Sequence, residues 1–203
     1  MKNKEDKRRH FDSIASDRDR WKDRNRYYHD NIENLISFLI PQGLSVLEIG
    51  CGTGDLLACL QPQQGLGVDF SEGMINKARE KYPKKVYPFI EFQVDDAEDL
   101  HIEETFDYVV MSDLLGELSD IWATLRNLKN VTRPDTRIVI TYFNTMWEPI
   151  LRLGERLGLK MPQDYQSWLS LTDIENLLAL NGIEVITKDF YLLVPKKIPI
   201  LSS

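Results

Sequence analysis

Residues 46–54 read Val46-Leu47-Glu48-Ile49-Gly50-Cys51-Gly52-Thr53-Gly54, and Gly67-Val68-Asp69 ends the next apolar run. An aliphatic stretch feeding three alternating glycines and then a helix constrains the chain more than any other segment. It opens a strand-turn-helix unit of a doubly wound sheet. Glycines at that turn let the backbone approach a bound molecule with no side chain between. A carboxylate about 20 residues beyond the first glycine, at the tip of the next strand, is placed to accept from two ribose hydroxyls. The pattern predicts a ligand that contains a nucleoside.

Charge narrows the choice. A dinucleotide site lays a pyrophosphate on the helix after the glycines and keeps Gly or Ala where this chain has Asp55. With Glu48 before the loop and Asp55 after it, a pyrophosphate would face two carboxylates. S-adenosylmethionine (SAM) has an adenosine, no phosphate, a sulfonium and an ammonium, and nearby acids attract it. The stretch from Val46 to Asp69 resembles the class I SAM-dependent methyltransferase family, and the resemblance implies SAM as cofactor. Glu48, Gly50, Cys51, Gly52 and Asp69 are then cofactor-binding candidates; Cys51 is expected to pack as a small residue rather than react.

At 203 residues and 42% hydrophobic content, the chain can bury one sizeable core, and a single domain is expected. No apolar run reaches the roughly 18–20 residues that span a bilayer, and Met1-Lys2-Asn3-Lys4-Glu5-Asp6 lacks a secretory apolar stretch, so a cytoplasmic location is expected. Two cysteines and three histidines without ligand spacing predict no disulfide framework and no metal site. Residues 1–30 carry +3 of a net charge of −7, which leaves −10 for the remainder and argues against duplex nucleic acid as substrate. The interleaved charges of the first 30 residues read as a solvated helix face.

Helical spacing occurs in two pieces before Pro41-Gln42-Gly43, one around Phe11, Ile14 and Trp21, the other at Ile32, Leu35, Ile36 and Leu39. Strands are expected over Ser45–Ile49, Gly65–Asp69, Ile90–Val94, Asp107–Met111 and Arg137–Thr141, with helices over Gly54–Leu60 and from Ser71, an N-cap, to Lys81. A further helix carries Ile121, Leu125 and Leu128 on one face, and another runs from Trp147 to Leu157. After an irregular stretch, 158–170, a capping box Thr172-x-x-Glu175 opens a helix that stops at Asn181-Gly182. Glu184–Lys188 and Tyr191–Val194 are expected to close the sheet as a hairpin. The alternation predicts an α/β, doubly wound Rossmann-like sheet with its ligand at the carboxyl ends of the strands. The family resemblance implies seven strands in the order 3-2-1-4-5-7-6, strand 7 antiparallel, with residues 1–43 as an N-terminal helical lid and 44–203 as the SAM-binding core.

The resemblance continues in Val94-Asp95-Asp96-Ala97, similar to the family's third-strand motif, in which Asp96 would accept from the adenine amine and Ala97 would offer its N–H. Asp95 is the rival by one residue. Phe70 and Met74 are placed to cover the adenine faces, with core packing as the other reading. Phe106-Asp107-Tyr108-Val109-Val110-Met111-Ser112-Asp113 is similar to the fourth-strand motif, which brings Ser112 and Asp113 to the methionine end of SAM. Relatives often place His after this strand; here Leu114-Leu115-Gly116-Glu117 follows, so Asp113, Glu117 or His29 would be the base if one is needed. Because methyl transfer is an in-line displacement on an activated sulfonium, positioning supplies most of the acceleration and no catalytic residue need be named. Tyr27, Tyr28, His29, Tyr142, Asn144 and Trp147 are candidates for an acceptor pocket.

His10-Phe11-Asp12-Ser13-Ile14-Ala15 and Arg26-Tyr27-Tyr28-His29 resemble the lid of small-molecule methyltransferases, those of quinone biosynthesis among them. Residues 147–162 resemble bacterial methyltransferase modules of glycan and lipid pathways. The expectation is a SAM-dependent methyltransferase with a small-molecule, glycan or lipid-linked acceptor and no nucleic-acid partner. Its rivals are a SAM-binding interaction module without catalysis and a nicotinamide-dependent oxidoreductase.

Overall fold

The computed structural model describes residues 4–143 and 169–191, with Leu153 and Arg156 between them. Five runs of aliphatic and β-branched residues form strands β1 (Ser45–Ile49), β2 (Gln64–Asp69), β3 (Ile90–Val94), β4 (Tyr108–Ser112) and β5 (Arg137–Thr141). All pair in parallel in the order β3-β2-β1-β4-β5. The register sets Asp69 beside Val94 and Ser112 beside Thr141, so the carboxyl tips end along one rim.

Alternation along the strands divides the core. Val46 and Val110 face one cluster with Ile32, Ile36, Leu57 and Ile75; Leu47, Val109 and Met111 face the other with Leu125, Leu128, Ile174 and Leu178. The first face is covered by helices α3 (Arg26–Leu39), α4 (Asp55–Leu60) and α5 (Glu72–Lys81), the second by α6 (Ile121–Val131) and α7 (Leu171–Leu180). Both faces of the sheet are therefore apolar, as a parallel sheet requires. Ile36 is wholly buried, and truncating such a residue to Ala costs roughly 2–5 kcal/mol, so α3 is anchored to the sheet.

Ahead of α3, which is the second of the two expected helical pieces, the first is divided into α1 (Lys4–Ile14), a 3-10 turn (Ala15–Asp17) and α2 (Arg18–Arg24). Ser71 caps α5, its hydroxyl accepting from Met74 N at 3.1 Å. The capping box of α7 is formed by Ser170 and Asp173, not by Thr172 and Glu175: Ser170 Oγ accepts Asp173 N at 3.1 Å and Asp173 Oδ2 accepts Ser170 N at 3.0 Å. Ser170 has the extended backbone a cap needs, and Glu175 pairs instead with Lys188.

The expected hairpin is the main departure. Residues 184–188 form no strand, and the described sheet has five strands where seven were expected. After Gly182, Lys188 pairs with Glu175 of α7, and Val185, Ile186 and Phe190 stay exposed, so the run lacks the buried face of a sheet strand. Residues 192–194 of the hairpin, the helix expected from Trp147, and the pocket candidates Asn144 and Trp147 lie outside the described residues. No described helix is long and apolar enough to cross a membrane.

Candidate functional site

The glycine loop turns because Gly50, Gly52 and Gly54 adopt φ of +77°, +52° and +81°, a region that side chains disfavour. This conformation sends the N–H groups of Gly50 and Cys51 to Val68 O, at 2.8 and 2.9 Å, and that of Gly52 to Asp69 Oδ2 at 2.9 Å. Ser71 N donates to Asp69 Oδ1 at 2.9 Å. Each carboxylate oxygen thus has one backbone donor and keeps accepting capacity toward a cavity of about 1710 Å³ lined also by Gly50, Gly52, Phe70, Met74 and Ala97. Burial pushes the Asp69 carboxyl pKa up, against the pull of those two N–H groups and of Arg18. A Cβ built on Gly52 meets nothing within 4 Å, so the cradle has room at the point where a nucleoside would rest.

Beyond β3, the two neighbouring aspartates divide their work. Asp95 accepts from Asp96 N and His101 N, both at 2.9 Å, and so ties its own loop together. Asp96 accepts Glu98 N at 2.9 Å through Oδ1, while Oδ2 meets Lys4 Nζ of α1 at 2.5 Å. Phe70 packs edge to face on Phe11 of α1, 5.5 Å between centroids, and Met74 is nearly buried on the cavity wall.

At the tip of β4, Asp113 takes a left-handed φ of +54°, a costly conformation held by hydrogen bonds to Thr141 and Tyr28. Its N donates to Thr141 Oγ1 at 3.0 Å, Thr141 Oγ1 donates to its Oδ1 at 3.0 Å, and Tyr28 OH donates to its Oδ2 at 2.5 Å. Ser112 Oγ lies 3.2 Å from Thr141 Oγ1. Burial and the Asp113 charge push the Tyr28 hydroxyl well above its ordinary range, so it stays protonated as donor. Tyr28 stacks on Phe143 at 5.5 Å and meets His29 edge-on at 5.2 Å. Burial, then the charges of Lys22 and Arg18, lower the His29 pKa to about 4, which leaves the imidazole neutral at pH 7. Glu117 lines the cavity, and its carbonyl accepts from Lys7 Nζ at 3.0 Å.

Two expected ligand contacts sit behind the loop. Glu48 is buried away from the cavity lining and accepts Leu57 N at 3.0 Å, tying β1 to α4; burial pushes its pKa up to about 8. Cys51 is buried in the apolar cluster beside Leu56 and Leu57, where burial raises its thiol pKa.

The first 30 residues are not a plain solvated face. Arg18, Trp21, Lys22, Asn25, Tyr28 and His29 line the cavity, at the i, i+3, i+4, i+7 spacing of a helical stripe. Lys22 bonds Thr53 Oγ1 at 3.2 Å and pairs with Asp55, which also binds Lys81 at 2.5 Å and Tyr82 OH at 2.6 Å. Asp12 accepts from Ser71 Oγ at 2.6 Å and Gly73 N at 2.9 Å. Sequence reasoning passed over Lys4, Arg18, Lys22 and Asp12; the polar helical stripe was the signal that could have found the two on α2.

A family model described as "Methyltransferase domain" matches residues 20–188. The chain is 29% identical to a demethylmenaquinone methyltransferase of Staphylococcus saprophyticus over 152 residues, 65% of this chain and 64% of the relative. It is 28% identical to a malonyl-[acyl-carrier protein] O-methyltransferase of Priestia megaterium over 148 residues, 70% of this chain and 53% of the relative. The chain therefore spans less than two thirds of these curated relatives. Among solved structures, magnesium protoporphyrin IX methyltransferase from Synechocystis PCC 6803 with bound SAH superposes with a TM-score of 0.71 at 22% identity, covering 89% of each chain, a likeness of fold.

Proposed function

The chain belongs to the methyltransferase-domain family, and from that premise we propose that it transfers a methyl group from SAM to a small-molecule acceptor, with glycan and lipid-linked compounds as the finer candidates. The observation that carries the reading is Asp69, held by Gly52 N and Ser71 N at the tip of β2 and open to the cavity beside the glycine loop. SAM supplies a methyl group already activated on a sulfonium. In our reading Asp69 takes the ribose hydroxyls, Gly50 and Gly52 give way to the ligand, Asp96 and Ala97 bind the adenine edge, and Phe70 and Met74 cover its faces. Ser112 marks the methionine end. Glu48 and Cys51 support the loop from behind.

We assign the acceptor to the space between Asp113, Tyr28 and His29, on the far side of the β4 tip. Neutral His29 is the group there that could take a proton, and its lowered pKa of about 4 makes it a weak base, which suits a transfer driven by positioning. Of residues 1–43, which precede a core of 44–203, α1 and α2 would act as the lid, excluding water during transfer, while α3 stays docked on the sheet. The names of the curated relatives, a demethylmenaquinone methyltransferase and a malonyl-[acyl-carrier protein] O-methyltransferase, support an acceptor other than nucleic acid.

The test has two arms. Calorimetry should show binding of S-adenosylhomocysteine (SAH) and none of NAD, and radiolabelled methyl from SAM should pass into a bacterial metabolite extract. Binding without transfer would leave a SAM-binding interaction module; NAD binding would point to an oxidoreductase.

A further inference from the structure

Lys4 is the first residue of α1 and lines the cavity with Asp95, Asp96 and Ala97, the residues that follow β3. Two other cations of the helix set α1 in place: Lys7 Nζ donates to Glu117 O at 3.0 Å and Arg8 Nε to Phe70 O at 3.1 Å. Lys4 Nζ then lies 2.5 Å from Asp96 Oδ2 and 2.9 Å from Glu98 Oε2. The two carboxylates are not equivalent. Glu98 is anchored, its Oε1 accepting from Ser119 N at 2.6 Å and from Asp120 N at 3.1 Å. Asp96 gives Oδ1 to Glu98 N at 2.9 Å, so Oδ2, the oxygen that faces a base, is the one Lys4 shares. Burial pulls the Lys4 pKa down, but the hydrogen bonds and charges of Asp96 and Glu98 raise it above the ordinary lysine value, and the ammonium keeps its charge.

We infer that Lys4 is a specificity-determining residue, which together with Asp96 reads position 6 of the cofactor's purine. The inference rests on the methyltransferase reading, in which Asp96 and Ala97 receive the base. An exocyclic amine at position 6 is a donor and suits Asp96 Oδ2. A 6-oxo group is an acceptor, and against a carboxylate alone it would find no donor. A polar site left unpaired in this way rejects the wrong ligand strongly, so Asp96 by itself would be a strict reader of the amine. Lys4 softens that choice. Its ammonium has three N–H donors, and it serves a 6-oxo group without leaving the anchored Glu98. For the amine the same ammonium is a competitor on Asp96 Oδ2, one that yields by resting on Glu98 alone. The edge therefore offers a charged acceptor and a charged donor side by side, and α1 stays docked in either case.

Calorimetry with SAH and with S-inosylhomocysteine, its 6-oxo counterpart, tests this on the wild-type chain, Lys4→Met and Lys4→Arg. Loss of one charge-assisted hydrogen bond should weaken S-inosylhomocysteine roughly 10- to 100-fold in Lys4→Met, while SAH binds as tightly as before or tighter. The preference for SAH should rise by that factor. Lys4→Arg keeps a cationic donor and should restore a preference close to that of the wild type. A residue that merely holds α1 in place would weaken both ligands alike and leave their ratio unchanged. An unchanged ratio in Lys4→Met, with SAH bound by the wild type, would overturn the inference and leave the methyltransferase reading intact. Failure of the wild-type chain to bind SAH would overturn that reading and the inference with it.

Discussion

The loop and sheet around Asp69 and the helical lid above it are held by different forces. On the core side, Gly50, Cys51 and Gly52 are fixed by short backbone bonds over an apolar cluster that contains Leu57, Ile75 and Phe92. On the lid side, α1 and α2 have no buried residue, the turn between them buries Ala15, and the segment is attached through ions and hydrogen bonds: Lys4 to Asp96, Asp12 to Ser71 and Gly73, Lys22 to Asp55. Apolar burial scales with area and resists dissection, whereas partly exposed ion pairs contribute on the order of 1 kcal/mol each or less. The contrast suggests a rigid half-site and a detachable cover, which suits an enzyme that must admit two ligands and then exclude water.

The largest effect is expected where the rigid half meets ligand. Asp69→Ala removes two charge-assisted bonds to ribose, each worth roughly 1.5–3 kcal/mol, so SAH affinity measured by calorimetry should fall at least tenfold while the protein still melts cooperatively. Next comes Gly54→Ala. Its φ of +81° disfavours a side chain, and the new Cβ would lie 2.5 Å from Phe92 Cζ, so urea denaturation should show a loss of about 2–4 kcal/mol. An equally stable Gly54→Ala protein would mean that the core side is looser than described.

The halves should also respond to pH in opposite directions. Glu48 has a folded pKa raised to about 8 from 4.5, so its contribution is fully present below about pH 4.5 and is lost as pH rises toward 8. Glu48→Gln should therefore gain on the wild type as pH rises across that window, read from denaturation curves at pH 5 and 7.5. At the contacts between lid and core the sign reverses. His29, lowered to about 4, contributes above its ordinary 6.5 and loses that contribution as pH falls toward 4. Asp55 is raised by burial but held below the usual carboxylate range by Lys22, Lys81 and Tyr82, so its contribution is lost at lower pH still. Acid should open the lid before it unfolds the sheet.

The smallest expected change in global stability comes from Lys22→Ala, under about 1 kcal/mol, because the pair is partly exposed and Asp55 retains Lys81. Local exchange of amides in α2 should nevertheless rise, which hydrogen exchange followed by mass spectrometry would detect.

The same division governs what could be read in the sequence. Strands β1 to β5 and the position of Asp69 followed from aliphatic periodicity and glycine spacing, both local signals set by burial. Lid contacts were hidden because Lys4, Asp12 and Lys22 look like ordinary surface charges until the fold brings residues some 30 to 90 positions away beside them. The Tyr28–Asp113 bond spans 85 positions and leaves no local trace. The capping box failed for a subtler reason: Ser170 and Thr172 both suit an N-cap, and the backbone entering α7 is extended at Ser170. The 184–188 run has the composition of a strand, but Val185 and Ile186 stay exposed and bury no face against the sheet.

The central claim is that lid and core close on one shared ligand. Hydrogen exchange with and without SAH tests it most directly, in the full chain and in a chain lacking residues 1–20. Amides over 11–28 should gain protection when SAH is added, while those of β1 and β2 barely change. The truncated chain should remain folded but bind SAH more weakly and transfer little methyl. Equal protection of 11–28 with and without SAH, together with full activity of the truncated chain, would contradict the account and leave these helices as a fixed extension of the domain.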